Sequence, residues 1–440
     1  MARARIDTIL VQSVTGVFLI ILGLLPFHAF LSTWGGSAIG PLLVWKSWKE
    51  IVIALLVPLV VWLCVRRPDI TRAIWGRWYN KLIALYAVLT IVFTICSTAL
   101  GEASIAGLLM NLRFFALFVV AQVIVASGAS WIETFKKRLT VWITITGVIL
   151  AVLAILQVTL VPKDFLAGFG YNKDTTISPY LLVDENPDAL RAFATMRGPN
   201  TLAAYLVLPL AVALLLWAQR KTWWTAGATV LMVVALFLTH SRSGWLGALA
   251  MAATLAFTTL PRDKLRTWIK FGTIPAVVAG VLVLWLATTI PAVRLAIFHS
   301  GGNDPSESLL EGSTDEHWQA TWRGVLDIAA HPLGQGVGTA GPASFYNSVA
   351  DIPENYYVQL GQEVGLLGVG LFLVISVLIA QALWQQKNLW PRALLASFVG
   401  ITVINFFLHG WADDPTAMTW WGLAGLWVAA AAHSKNRKRV

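Results

Sequence analysis

Twelve apolar runs, each long enough to cross about 30 Å of hydrocarbon as a helix, leave this chain little choice of fold. They fall at 9–31, 47–65, 82–99, 104–126, 140–161, 201–218, 223–239, 244–260, 271–290, 357–384, 393–409 and 417–432. Backbone in hydrocarbon must satisfy its own hydrogen bonds, which favours helices. Only 12% of the 440 residues are charged, against about 25% in a soluble domain. The expected fold is therefore all-α and polytopic, with twelve transmembrane helices and a large, partly helical extracytoplasmic loop. The apolar run nearest the N-terminus has no small-residue cleavage site and reads as a permanent helix. Cys64 and Cys96 both sit inside apolar runs and read as packing residues rather than a disulfide or a metal cluster.

Charge sets the expected orientation. If both termini are cytoplasmic, 22 of the 32 Lys and Arg residues fall on the inner side, as the positive-inside rule requires. Of the 22 acids only Asp7, Asp69, Glu133 and Asp263 do. The net charge of +10 then faces anionic lipid headgroups, which excludes a nucleic-acid partner as the economical reading. Three parts follow: helices 1–9 in 1–290, the outer loop in 291–356, and helices 10–12 with a basic cytoplasmic tail in 357–440. The stretch Ala292–Tyr357 carries Trp322-Arg323, the run His331-Pro332-Leu333-Gly334-Gln335-Gly336-Val337-Gly338, and Pro353-Glu354-Asn355-Tyr356-Tyr357. A long polar segment rich in aromatics reads as an ordered platform carrying part of an active site. The other long outer loop is 162–200.

Basic residues are sparse on the expected outer side, so each one matters. Arg191 and Arg197 precede the sixth run, where Asn200 can cap the helix and the helix N-terminus favours an anion. Arg242 lies in the outer turn Thr239-His240-Ser241-Arg242-Ser243-Gly244; it reads either as a snorkelling side chain or, with the first two, as a clamp for a lipid diphosphate. Arg113, nearer the middle of a run, needs a polar cavity to offset an insertion cost of about 3 kcal/mol and joins the same diphosphate-binding set. Glu354 reads either as a favourable charge at a helix start or as a general base, with His299, His317 and His331 as other candidate bases. The glycines of 334–338 read as turn glycines, because no strand precedes them and no Lys-Ser/Thr follows. No cluster has metal-ligand spacing; Asp413-Asp414 before Pro415 reads as a turn. No cofactor is expected.

Four pieces, taken together, resemble the O-antigen ligases and the related O-antigen polymerases. They are Arg197-Gly198-Pro199-Asn200-Thr201-Leu202-Ala203-Ala204-Tyr205; Ser241-Arg242-Ser243-Gly244-Trp245-Leu246; His331 through Gly338; and Pro353-Glu354-Asn355-Tyr356-Tyr357-Val358-Gln359-Leu360 with Glu363-Val364-Gly365-Leu366-Leu367-Gly368. The resemblance covers roughly residues 190–375. It implies a metal-independent, inverting glycosyltransferase of the integral-membrane, GT-C-like type. Such an enzyme moves a glycan from undecaprenyl diphosphate to an acceptor hydroxyl, lipid A-core for a ligase or a growing glycan for a polymerase, at the periplasmic face of the bacterial inner membrane. The family often carries His-Asn where this chain has Glu354-Asn355, which keeps the loop histidines in contention as the base.

A lipid-linked oligosaccharide transporter is the rival from another class. It would expose charge on both sides of a central cavity, whereas Arg191, Arg197, Arg242 and Glu354 all map to one side.

Overall fold

The computed structural model describes residues 2–183, 186–261, 313–386 and 388–437, with scattered positions between 263 and 290. The expected span at 271–290 is mostly outside the described residues, as are 291–312 with His299. The helices are α1 (Ala2–Leu24), α2 (His28–Ala38), α3 (Leu42–Lys46), α4 (Trp48–Arg66), α5 (Pro68–Trp75), α6 (Trp78–Ile95), α7 (Gly101–Ala126) and α8 (Ile132–Thr159). They continue as α9 (Pro199–Arg220), α10 (Trp223–Leu238), α11 (Arg242–Thr259), α12 (Ser313–Ala330), α13 (Tyr356–Trp384), α14 (Trp390–Ile404) and α15 (Asp414–Arg437). Among the described residues, seven helical segments are long and apolar enough to cross a membrane: Arg5–Ala38, which joins α1 and α2, together with α4, α6, α7, α8, α9 and α13. α10 and α14 are apolar but shorter. Every expected run except 271–290 falls on a helix.

One departure from all-α lies in the 162–200 loop, where β1 (Leu182–Val183) pairs antiparallel with β2 (Asn186–Leu190). A larger one concerns α13. Its register is helical on either side of Gly365, but Gly365 has φ 68° and ψ −178°. The rings of Tyr356 and Phe372 lie 5.6 Å apart, although a straight helix would separate residues 16 positions apart by about 24 Å. The helix therefore folds back at Gly365, and 357–384 is a hairpin of a short arm (356–364) and a long apolar arm (366–384). Only a residue without Cβ suits that left-handed turn, because a side chain there would meet the backbone of Pro332 and Leu333. A hydropathy window cannot see the reversal, since both arms are apolar.

The loop 331–338 wedges into this bend. Gln335 and Gly336 donate backbone N–H groups to the carbonyls of Gln362 (2.7 Å) and Glu363 (3.1 Å), and Leu366 donates to Pro332 (3.0 Å). Gly338 N–H donates to the Glu363 carboxylate at 2.8 Å, and Asn111 of α7 donates to its other oxygen at 2.9 Å. Gly334, Gly336 and Gly338 all have positive φ. These are turn glycines whose amides pair within the protein.

The core is aromatic. Buried Phe114, Phe115 and Phe118 on α7 meet Trp421 on α15, with Phe372 of α13 beside them. In lipid the hydrophobic drive between helices is weak and close packing carries association. α11 and α14 accordingly cross where Gly247 abuts the Gly400 carbonyl and Gly400 the Gly247 carbonyl.

Candidate active site

Four separate segments converge at the end of the bundle where α9 and α11 begin. The first is 191–198. Ala192 N–H donates to the Leu238 carbonyl (2.9 Å), Phe193 and Ala194 both donate to the Gln157 side chain (2.9 and 2.8 Å), and Tyr171 hydroxyl donates to the Thr195 carbonyl (2.7 Å). This stapling fixes Arg191, whose Nε donates to the Thr239 carbonyl at 3.1 Å and whose terminal nitrogen donates to Asn200 at 3.3 Å. Asn200 does not cap α9, contrary to expectation. Pro199 already occupies the first turn and the cap position is Gly198, so Asn200 turns to Arg191 instead.

The second segment is the turn 239–241. Thr239 hydroxyl accepts from Ser241 N–H (3.1 Å), and Ser241 hydroxyl caps α11 by accepting from Gly244 N–H (3.3 Å). Arg242 is thus the first residue of α11. The third is α12, docked by the Thr321 hydroxyl on the Pro353 carbonyl at 2.6 Å. The fourth is the entry to α13. Asn355 is its cap, accepting from Tyr357 and Val358 N–H at 2.9 and 3.2 Å and donating to the Phe406 carbonyl at 3.0 Å. The cap function that Glu354 was a candidate for belongs to its neighbour, and Glu354 points elsewhere.

Between these segments lies a cavity of about 660 Å³, lined by Arg191, Arg242, His240, His317 and Glu354 among others, with Leu246, Phe406 and Phe407 as its apolar wall. That volume is in the range of small-molecule sites, roughly 300–1,000 Å³. Glu354 is the only acid among the described lining residues. Ala194, His240 and Glu354 each adopt the left-handed conformation at φ 51°, 51° and 52°, which costs an L residue about 1–2 kcal/mol. Strain of this kind gathers at functional sites, and of the four such residues described only Lys221, at the end of α9, lies away from this region.

His317 Nδ1 lies 3.5 Å from the Glu354 carboxylate. Burial raises the Glu354 pKa, but the hydrogen bond and charge of His317 outweigh it and hold the carboxyl below its ordinary value. His409, behind the cavity wall, is pushed down to about 4 by burial and is neutral at pH 7. His331 lies outside the cavity lining; its Nδ1 is 3.1 Å from Asp327, one helical turn back.

Two of the four expected arginines are elsewhere. Arg197 is exposed, does not line the cavity, and acts electrostatically on His28, Lys46 and Asp413. Arg113 is buried and does not line it either. Its guanidinium donates to Glu50 at 2.8 Å and to the Ala412 carbonyl at 2.9 Å and pairs with Asp414. Lys49 pairs with Glu50 (3.0 Å) and Asp414 (3.2 Å), and His28 with Asp414 (3.2 Å). Two cations and two carboxylates balance, so Arg113 is a tie between α4, α7 and the start of α15. Asp414 is correspondingly the hub of an ion network and the first residue of α15, where a turn was expected. The signal was present: charges within apolar runs find each other, and Lys49, Glu50, Arg113 and Asp414 sum to zero.

Sequence reasoning missed His409, Trp318 and Thr321, which carry no recognisable spacing. Among the described residues no three His, Cys, Asp or Glu side chains gather in a metal-binding group.

Comparison with known families agrees with the resemblance. Residues 227–373 match a family model described as O-antigen ligase, which assigns this segment of a multi-pass helical membrane protein to the O-antigen ligase and polymerase family. The match contains Arg242, His317, Glu354 and the glycine wedge; Arg191 lies before it. No curated protein matches the chain.

Proposed function

We propose that this protein is an inverting, metal-independent glycosyltransferase of the bacterial inner membrane. In this reading it has twelve spans, cytoplasmic termini and an outward cavity, and it transfers a glycan from undecaprenyl diphosphate to an acceptor hydroxyl on lipid A-core. The observation that carries this reading is the convergence of Arg191, Arg242, His317 and Glu354 on one cavity at one end of the bundle. Arg191 and Arg242 hold the diphosphate, a planar fork being suited to phosphate oxygens, and stabilise charge on the leaving group as it departs. Glu354 takes the proton of the acceptor hydroxyl, and His317, at 3.5 Å, keeps the carboxyl ionised and oriented. A depressed pKa favours the charged, proton-accepting form and weakens proton affinity, so the proton passes from Glu354 to solvent after transfer. Arg113 and Arg197 do not line the cavity, so the proposed clamp is built on Arg191 and Arg242.

Purified protein in liposomes, given a lipid-diphosphate glycan and either a lipid A-core or a glycan acceptor, tests the proposal. Glycosylated lipid A-core is the expected product; glycan extension would make it a polymerase, and translocation without product would make it a transporter. Chelation of divalent ions should leave turnover unchanged, and loss of activity restored by a divalent cation would reject the metal-independent reading.

A further inference from the structure

At the opposite end of the bundle from the cavity, α4, α5, α6 and α7 enclose an apolar groove of about 830 Å³. α4 sets this polarity: its first turn pairs with Asp414 near the cavity and its last with Asp7 in α1. The groove wall is aliphatic and aromatic, with exposed Val57, Val61 and Val65 along one lip. Its floor is α5, an amphipathic helix that buries Ile70 and Ile74 while Trp75 is exposed, the pattern of a helix lying in the headgroup plane. The polar groups within it are satisfied: Asn80 bonds Gln122 (2.9 Å) and Thr71 hydroxyl donates to the Cys64 carbonyl (2.9 Å).

The mouth is cationic. Arg72 lines it, donates only to the carbonyl of Pro68 (3.3 Å) among the described residues, and pairs with no carboxylate there. Arg66 and Arg67 are matched by Asp7 and Asp69, while Arg77 and Lys81 add positive charge at the same end and make no ion pair with an acid among the described residues. No acid lines the groove.

We propose that this groove binds one anionic phospholipid, an acyl chain lying against α4, α6 and α7 and the phosphate on Arg72. The charge of the mouth selects the occupant: a zwitterionic lipid would also bring a phosphate to Arg72, but its ammonium would add positive charge to a mouth that is already cationic.

The test uses the full chain in nanodiscs with phosphatidylglycerol or phosphatidylcholine bearing a photoactivatable group in one acyl chain, followed by mass-spectrometric mapping. Crosslinks to groove residues from phosphatidylglycerol should exceed those from phosphatidylcholine. Arg72→Gln should lower the phosphatidylglycerol yield about fivefold, the equivalent of about 1 kcal/mol per basic residue near an anionic surface. Ala84→Trp, which fills the groove, should abolish labelling there. An unfolding temperature in detergent equal to that of wild type reports the folding of each variant. Equal labelling by the two lipids, labelling that survives Ala84→Trp in a folded protein, or a crosslinked second copy of the chain would each overturn the proposal.

Discussion

The cavity and the buried ion network lie near one end of the bundle, and both contain arginine, carboxylate and histidine, yet they are built oppositely. In the network Arg113, Lys49 and Asp414 are buried, Glu50 is half-buried, and the four pair with one another in matched charge. Around the cavity Glu354, the one acid among the described lining residues, shares the wall with Arg191, Arg242 and two histidines, and Glu354 and His240 hold left-handed backbone conformations. Charge that is balanced and dry holds helices together, whereas the charged groups around the cavity are half-open and are the ones proposed to take the donor. The sequence grouped Arg113 with Arg242; geometry separates them.

Four measurements break or sharpen this contrast. The largest expected effect is Glu354→Gln, which should lower turnover by about 100- to 10,000-fold, the usual worth of a positioned base, while donor binding persists. Near-normal turnover would shift the role of base to His317. Next is Arg113→Ala. Removing one member of a buried network costs about 3–5 kcal/mol, so thermal unfolding in detergent should occur at clearly lower temperature, with donor affinity of the folded fraction retained. A stable variant that fails to bind donor would return Arg113 to the diphosphate site. Arg242→Ala should weaken donor binding about 10- to 100-fold, as expected for losing hydrogen bonds to a charged group worth about 1.5–3 kcal/mol. Titration of donor into nanodiscs measures this.

The smallest effect is a pH dependence of stability. Burial lowers the His409 pKa from 6.5 to about 4. The unfolded chain therefore binds a proton that the folded one refuses between those values. Stability is fully present above pH 6.5 and falls as pH drops toward 4, by about 1–2 kcal/mol at pH 5. Asp413 works against it, since burial followed by the charge of Asp414 raises its pKa to about 6; its contribution favours the folded state at low pH and is lost as pH rises from 3.8 to 6. The stability difference between wild type and His409→Gln isolates the histidine. It should shrink as pH falls from 6.5 to 5, and an unchanged difference would count against a buried neutral imidazole.

Much of the fold was legible in the residues. Apolar runs of spanning length and the turn chemistry of the 331–338 glycines are local properties, and local properties survive translation into structure. Arg191, Arg242 and Glu354 were legible as sparse charges beside helix starts. Three things were not. The reversal at Gly365 hides within a run that stays apolar through the bend, and only the meeting of Tyr356 with Phe372 reveals it. Asn200 looked like a cap because asparagine caps helices, but Pro199 had taken the first turn and Arg191 lay within reach. His317 and His409 approach Glu354 only because Thr321 docks α12 on Pro353 and Asn355 ties the α13 entry to Phe406. The sequence by itself determined which segments are helical and where polar groups gather, because hydropathy and backbone hydrogen bonding act over a few neighbouring residues. Which arginine faces a carboxylate and which faces the cavity was decided by tertiary structure alone, because charge pairing depends on distance in space and residues such as Arg113 and Asp414 meet across 300 positions of chain.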